Sequence, residues 1–168
     1  MTKTASARLV LQDVVFVRNK LETEVGHIEW RLYWILAVVF LRSVGHVLDK
    51  VDGSNDLDLK KEANALFKSW QIGNEHEIFR SFIDCERNSI LKEYESDMSE
   101  GPVPVLINLK NKAGCDVIQQ VLIEENIYRP MTSGVYEGED GRTLIDEAIS
   151  WWESQLDKLD RVDAGQPG

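Results

Sequence analysis

The segment that decides the fold reads Phe82-Ile83-Asp84-Cys85-Glu86-Arg87-Asn88-Ser89-Ile90-Leu91-Lys92-Glu93-Tyr94. The longer stretch from Glu75 to Asp97 contains no Gly or Pro, and its apolar residues recur at helical spacing, which predicts a helix. One narrow arc of this helix holds Phe79, Ile83, Ile90 and Tyr94. Glu86 and Arg87 fall on or beside the same arc. Because buried charges are costly unless they are paired, we expect a partner for them elsewhere in the chain or in another molecule.

Three more helices are predicted before this one. They run from Ser6 to Leu21, from Ile28 to about Asp49, and from Leu57 to about Trp70, the last with Asn55 or Asp56 as its N-cap. The longest apolar run, Leu32–Leu41, covers ten residues, whereas a membrane-spanning helix needs about 20. The second helix is therefore expected at the centre of a bundle or at a dimer interface, and no membrane segment is expected.

The character of the chain changes after Gly101. Val103–Leu109 and Val117–Ile127 are rich in β-branched residues, and a turn-like segment lies between them at 111–114. This pattern predicts a β-hairpin, although Val117–Ile123 also fits a helical period. Pro102 and Pro104 suit an edge strand. A loop then leads to Thr143-Leu144-Ile145-Asp146, which resembles a capping signature and predicts a final helix through Leu159.

These elements predict a mainly α fold, a bundle of about four to five helices with a short β-hairpin insertion before the last helix. We expect a single domain over residues 1–160, with the insertion at about 101–140 and a flexible tail at 161–168. The chain has 168 residues, of which 43% are hydrophobic, and this is enough for a substantial core. Its net charge of −10 argues against broad binding of phosphates but leaves room for a small local RNA site.

The two cysteines, Cys85 and Cys115, have no metal-ligand spacing and no sign of a disulfide framework. The N-terminus is not followed by the apolar core of a signal peptide. These features predict a protein of a reducing cytoplasm, without a metal or another cofactor.

The segment from Arg87 to Tyr94 resembles the motif of the HEPN superfamily, small helical proteins that are usually dimers. The HEPN motif has an Arg, four to six residues, and then a His. Asn, Asp or His often follows the Arg, and in one toxin branch a Tyr follows the His by two positions. Arg87-Asn88 and Tyr94 match this motif, while Lys92 occupies the His position. As a helical arrangement, the resemblance extends over roughly Ile28–Tyr94.

The resemblance implies a metal-independent endoribonuclease of bacterial defence or toxin–antitoxin systems. In such an enzyme one group deprotonates the ribose 2′-hydroxyl, and an Arg stabilises the charged phosphorane. Lys92, with an ordinary pKa of about 10.4, would keep its proton at neutral pH. The preferred interpretation is thus a degenerate site, not an active enzyme, in a homodimer that binds RNA or a protein such as a cognate antitoxin.

One alternative is an active RNase that uses Arg87 with Lys92 or His46. Another is a structural or assembly protein without a nucleic-acid role, with Arg87 as an ion-pair partner in a helix interface.

Arg42 and His46 form a second candidate, because they are four residues apart on the second helix. They are interpreted either as part of a site between the second and fourth helices, or as a core His beside an Arg that pairs with Glu86. Gly45, within the same helix, predicts close approach of another helix.

The remaining candidates are two histidines and a pair of tryptophans. His27 and His76 are expected to be exposed near helix starts, without the neighbours that a metal site needs. Trp151-Trp152 invites a base-stacking interpretation, but a place in the core or an interface is favoured for at least one of them. The chain also resembles a group of uncharacterised bacterial proteins with Glu-Arg-Asn-x-Ile-Leu-Lys-Glu-Tyr followed by an Ala-Ile-x-Trp-Trp helix; this implies no activity.

Overall fold

A computed structural model describes residues 2–23, 26–124 and 127–161. The chain forms two compact units: one runs to Ser96 and resumes at Arg142, and the other comprises Asp97–Gly141. Arg161 is the last residue of the final helix, and the rest of the expected flexible tail lies outside the described residues.

The helical architecture matches the prediction of a mainly α fold with a hairpin before the last helix. The α-helices are α1 Ala5–Lys20, α2 His27–Val47, the short α3 Gly53–Asn55, α4 Leu57–Trp70, α5 Cys85–Glu93 and α6 Gly141–Arg161. π-helical turns cover Leu48–Asp52 and Ile78–Asp84, and a 3₁₀ turn covers Asn74–His76. Because α6 starts at Gly141, the capping signature expected at Thr143 lies inside the first turn, and that part of the prediction was wrong.

The start of α4 shows how local sequence sets a helix boundary. The Asp56 side chain accepts hydrogen bonds from the backbone N–H groups of Asp58 and Leu59, both at 3.0 Å. These bonds satisfy two of the N–H groups that the first turn of a helix leaves without partners. The prediction of an N-cap at Asn55 or Asp56 is confirmed, with Asp56 as the cap.

Tryptophans dominate the core of the helical unit. The rings of Trp30 and Trp34, both on α2, stack with their centroids 5.9 Å apart. Trp70 packs edge-on against both Trp151 and Trp152, at 5.1 and 5.2 Å between centroids. Trp151 is 8% exposed and Trp152 is fully buried, so the core interpretation of this pair is confirmed.

Gly45 leaves room for the Trp152 ring of α6 to pack against α2. A Cβ atom at this position would lie 3.1 Å from the Trp152 ring. That distance is shorter than an ordinary van der Waals contact, so a side chain at residue 45 would displace the ring. The intrinsic cost of a helical glycine is therefore offset by the packing of Trp152.

The stretch from Glu75 to Asp97 differs from the single helix that its sequence predicts. The 3₁₀ turn and the π-helical turn precede α5, which already ends at Glu93. Phe79, Ile83 and Ile90 are buried as expected. Tyr94 was wrongly placed with them, because it adopts a left-handed backbone with φ 57° that ends the helix. Its side chain is 66% exposed.

The second unit contains the predicted β-hairpin. Strands β1 Val103–Lys110 and β2 Asp116–Ile123 pair antiparallel along their full length. The Asn111 side chain accepts hydrogen bonds from the backbone N–H groups of Ala113 and Cys115, both at 2.9 Å, which closes the turn. The hairpin interpretation is thus confirmed over the helical one, although the second strand ends four residues before the expected Ile127.

Among the described residues one helix, His27–Asn55, is long and apolar enough to cross a membrane by length and composition alone. The core helix of a soluble bundle passes the same test, and α2 carries six buried residues: Trp30, Trp34, Ala37, Val38, Leu41 and Val44. The helix is compatible with a soluble protein in which α2 forms the centre of the bundle.

Candidate functional site

Arg42 and the segment that carries Arg87 lie where α2 packs against α5 and the π-helical turn before it. Arg42 on α2 forms an ion pair with Asp84, with 2.8 Å between Nε and Oδ1. The second helix thus packs against the segment that was predicted as the fourth helix. The partner of Arg42 is Asp84, however, and not Glu86.

Glu86 instead points into the core. It is 2% exposed, and its Oε1 atom accepts hydrogen bonds from the Trp34 indole at 3.0 Å and from the Ser96 hydroxyl. The expectation that Arg42 pairs with Glu86 was thus wrong, because Arg42 binds Asp84 while Glu86 binds Trp34 and Ser96. Glu86 therefore has a structural role, because it accepts a hydrogen bond from the buried indole N–H of Trp34.

Arg42 is held in one orientation by two contacts. Asp84 binds its Nε atom, and its guanidinium carbon lies 5.7 Å above the ring centre of Phe79. The side chain is only 16% exposed. A guanidinium fixed in this way loses little conformational entropy when it binds an anion.

His46 follows Arg42 by one turn of α2 and keeps exposed surface. Partial burial lowers the pKa of His46, and the positive charges of Arg42 and Arg87 lower it further, while Asp49 acts in the opposite direction. The imidazole is therefore favoured in its neutral form near pH 7, with one nitrogen as a donor and the other as an acceptor. Its ring forms no hydrogen bond with any described residue.

Arg87 and Asn88 stand together on α5. Nη1 of Arg87 donates to the Asn88 side-chain oxygen at 2.8 Å, and both residues are half-buried. The positive charge of Arg87 lowers the pKa of His46, so the two side chains interact electrostatically.

Lys92 and Tyr94 occupy a different setting. Both are exposed, and Lys92 follows Arg87 by five positions, which places the two about 140° apart around the helix axis. The Tyr94 ring lies beneath Arg31, 5.4 Å from its guanidinium carbon. The two halves of the sequence motif therefore face different directions on α5.

A cleft of about 190 Å³ opens beside Arg42 and His46, between α2 and α4. Its lining is Arg42, Gly45, His46, Leu48, Asp49, Ala63, Asn64, Phe67 and Trp70. Lys50 and Lys60 lie close to Asp49 and lower its pKa, Lys50 mainly through a side-chain hydrogen bond. Around His46, the four basic residues Arg42, Lys50, Lys60 and Arg87 thus outnumber the acidic Asp49 and Asp84, which pair with Lys50 and Arg42.

This arrangement suits the binding of an anion next to a neutral imidazole. Arg42 and Arg87 supply fixed positive charge, and His46 supplies a nitrogen that accepts a proton near neutral pH. Among the described residues, no group of three or more His, Cys, Asp or Glu side chains is placed to hold a metal ion.

Sequence reasoning found Arg42, His46 and Arg87 but missed Asp84, Asn64 and Phe67. Helical spacing could relate Arg42 to His46, since both lie on one helix. The other three reach the site only through packing between helices. Phe67 could not be recognised from the sequence, because its exposed fraction of 40% is a property of the folded structure.

The other histidines differ from each other. His27 is exposed at the start of α2, as expected. His76 is 5% exposed and accepts a hydrogen bond from the Trp151 indole through Nδ1 at 3.2 Å. The expectation of an exposed His76 was wrong, because the 3₁₀ turn folds it against α6.

Neither a family model nor a curated protein nor a solved structure matches this chain.

Proposed function

We propose that this protein is a HEPN-like RNA-binding protein that acts as a homodimer in a bacterial defence or toxin–antitoxin system. The observation that carries the proposal is an open cleft lined by Arg42 and His46, with the charge of Arg87 close enough to lower the pKa of His46. A local cationic site in an acidic chain favours capture of a few phosphates over non-specific coating of nucleic acid.

Cleavage of generic RNA is expected to be weak or absent. General acid–base assistance contributes typically about 10²–10⁴-fold in rate, and the residue at the His position of the motif is the exposed Lys92. The Arg position is filled, so transition-state charge stabilisation is retained without an efficient proton acceptor at that place. Under this proposal the protein binds RNA in the cytoplasm, and a cognate antitoxin or another protein regulates it.

A second candidate function is an active metal-independent endoribonuclease. The neutral imidazole of His46, acted on by the Arg87 charge, favours this candidate. In that reaction His46 takes the proton of the 2′-hydroxyl, and the oxygen attacks the adjacent phosphorus. The 5′-oxygen leaves with a proton from water, and the resulting hydroxide takes the proton back from His46. A 2′,3′-cyclic phosphate and a 5′-hydroxyl are the products.

RNA binding is tested by fluorescence anisotropy with a labelled single-stranded RNA of mixed sequence. We expect affinity that weakens as salt rises from about 50 to 200 mM. Arg87→Ala should lower the affinity about tenfold, since a charge-assisted contact is lost. Arg161→Ala is the matched control, because Arg161 is 79% exposed near the end of α6. Equal affinity of wild type and Arg87→Ala contradicts the proposal.

Cleavage assays on the same RNA separate the alternatives. RNase activity gained by Lys92→His and abolished by adding Arg87→Ala supports a degenerate HEPN centre. Wild-type cleavage that His46→Gln abolishes supports the second candidate instead. If no variant binds or cleaves RNA, the structural or assembly role replaces both.

A further inference from the structure

We propose that the cleft between α2 and α4 binds one nucleotide, with its base against Phe67 and Asn64 and its phosphate at Arg42 and His46. This inference rests on the proposed function and deepens it, because it assigns a base-binding subsite to the RNA site. Four features of the cleft carry it: an open aromatic wall, amide and carboxylate groups in the lining, a limited volume, and a fixed guanidinium at the rim.

The aromatic wall is Phe67, which is 40% exposed although it adjoins the core. Its ring contacts Trp70 and Phe79 edge-on, with centroids at 5.9 and 6.1 Å and interplanar angles of 77° and 87°. These contacts fix the ring while leaving part of it open to the cleft. An exposed, oriented aromatic ring is the feature on which nucleobases stack.

The polar groups of the lining suit a base better than a bare phosphate. Asn64 lies one turn before Phe67 on α4, and its amide forms no hydrogen bond with any described residue. Asp49 is a carboxylate whose pKa is lowered, mainly by the hydrogen bond from Lys50. A carboxylate repels phosphate but accepts hydrogen bonds from base N–H groups. Guanine presents two adjacent N–H donors on its Watson–Crick edge, and uracil presents one.

The size of the cleft limits what enters it. Pockets that enclose a whole drug-sized ligand measure roughly 300–1,000 Å³, and this cleft measures about 190 Å³. A single base fits such a volume, so the sugar and phosphate must stay at the rim. Arg42 and His46 line that cleft from α2, and Arg42 has guanidinium N–H groups beyond the Nε that Asp84 occupies.

The experiment measures binding of GMP, UMP and inorganic phosphate to the full chain by isothermal titration calorimetry. We expect GMP to bind more tightly than UMP, and both more tightly than phosphate. Phe67→Leu keeps an apolar side chain but removes the ring, so it should weaken GMP binding about 10- to 100-fold and leave phosphate binding unchanged. Asp49→Asn should reduce the preference for GMP over UMP.

Two further variants control for a general loss of aromatic surface and for misfolding. Phe16→Leu removes a ring that is 62% exposed on α1, and it should not change nucleotide binding. Asn64→Ala, at an exposed position, should weaken the binding of GMP without affecting the fold. It therefore tests the base subsite even if Phe67→Leu folds poorly.

The outcomes distinguish this inference from the proposed function. Equal binding of phosphate and GMP, or GMP binding that Phe67→Leu leaves unchanged, overturns the base subsite. RNA binding that depends on Arg87 without any GMP binding also overturns it, while the proposed function stands. GMP binding that depends on Phe67 supports the subsite even if longer RNA does not bind, in which case the proposed function fails.

Discussion

His76 illustrates how one buried side chain ties stability to pH. Burial lowers the pKa of His76, and Lys158 and Arg80 lower it further, while Glu75 raises it. Its Nδ1 must stay unprotonated to accept the hydrogen bond from Trp151. His46 has a lowered pKa as well. Both histidines therefore favour their neutral forms in the folded protein.

The sign of the resulting pH dependence follows from proton linkage. As the pH falls through about 6.5, the unfolded state binds protons at these positions before the folded state does, so stability declines. The buried His76 contributes a slope of up to about 1.4 kcal/mol per pH unit, until the folded state also takes up the proton. The contribution of the exposed His46 is smaller, because solvent screens its charge.

We predict that the free energy of unfolding decreases from pH 7.5 to 5.5 and that His76→Gln makes this decrease smaller. Gln offers an oxygen to the Trp151 indole but does not titrate. Urea denaturation followed by circular dichroism at each pH measures the effect. His27→Gln, at an exposed position, is the control and should keep the wild-type slope. A His76→Gln variant with that same slope would contradict the prediction.

At the scale of single elements, α1 depends on residues far from it in sequence. Its N-cap residue, Thr4, forms no side-chain capping bond. The Asp52 carboxylate accepts hydrogen bonds from the backbone N–H groups of Ser6 at 3.1 Å and Ala7 at 2.9 Å. Asp160 accepts others from Lys3 at 2.9 Å and Thr4 at 3.3 Å. Two carboxylates thus satisfy the start of the helix and favour its positive dipole end.

We predict that Asp52→Asn lowers the free energy of unfolding by about 1–2 kcal/mol, the usual loss when a helix cap is removed. The asparagine has one acceptor oxygen and no charge, and Asp52 is only 7% exposed. Urea denaturation at neutral pH measures the loss. Asp13→Asn, at an exposed position of α1, should have a much smaller effect; equal effects of the two substitutions would refute the capping role.

Two helix caps, Asp56 and Asp52, show which features of the fold can be predicted from local sequence. Asp56 caps a helix that begins at the next residue, so its role follows from local sequence. Asp52 caps α1 from a position 46 residues after Ser6, and no local pattern shows that. The candidate site divides in the same way. Arg42 and His46 share a helix and could be paired from spacing, whereas Asp84 reaches Arg42 only through packing.

The end of α5 is a local failure of a different kind. Helical periodicity continues through Tyr94, but periodicity describes which side chains share a face and not where the backbone stops. A left-handed residue at the end of a helix is usually a Gly, but here it is Tyr94, so the sequence does not mark the end of α5. The motif residue Tyr94 was therefore placed on the buried arc, while it lies in solvent beneath Arg31.

At the scale of the whole molecule, the outer side of α2 remains apolar after the helical unit has folded. Ile28, Leu32 and Leu36 recur every four residues and are 67%, 48% and 40% exposed. Residues at this spacing form one continuous ridge. A helix that is apolar on more than its core side is typical of an interface. This ridge supports the proposal of a homodimer through α2.

We predict that the protein is dimeric at micromolar concentration and that Leu32→Glu makes it monomeric. Full burial of a Leu side chain stabilises by about 1.5–3 kcal/mol, and in a symmetric dimer each substitution counts twice. Glu at residue 32 would place two carboxylates near each other in an apolar interface, in a chain that already carries −10. Light scattering measures the mass of each variant.

Leu9→Glu is the control. It alters a side chain of α1 that is 60% exposed and should leave the dimer intact. Wild-type protein that is monomeric at micromolar concentration would refute the dimer, and dissociation by Leu9→Glu but not by Leu32→Glu would place the interface on α1 instead of α2.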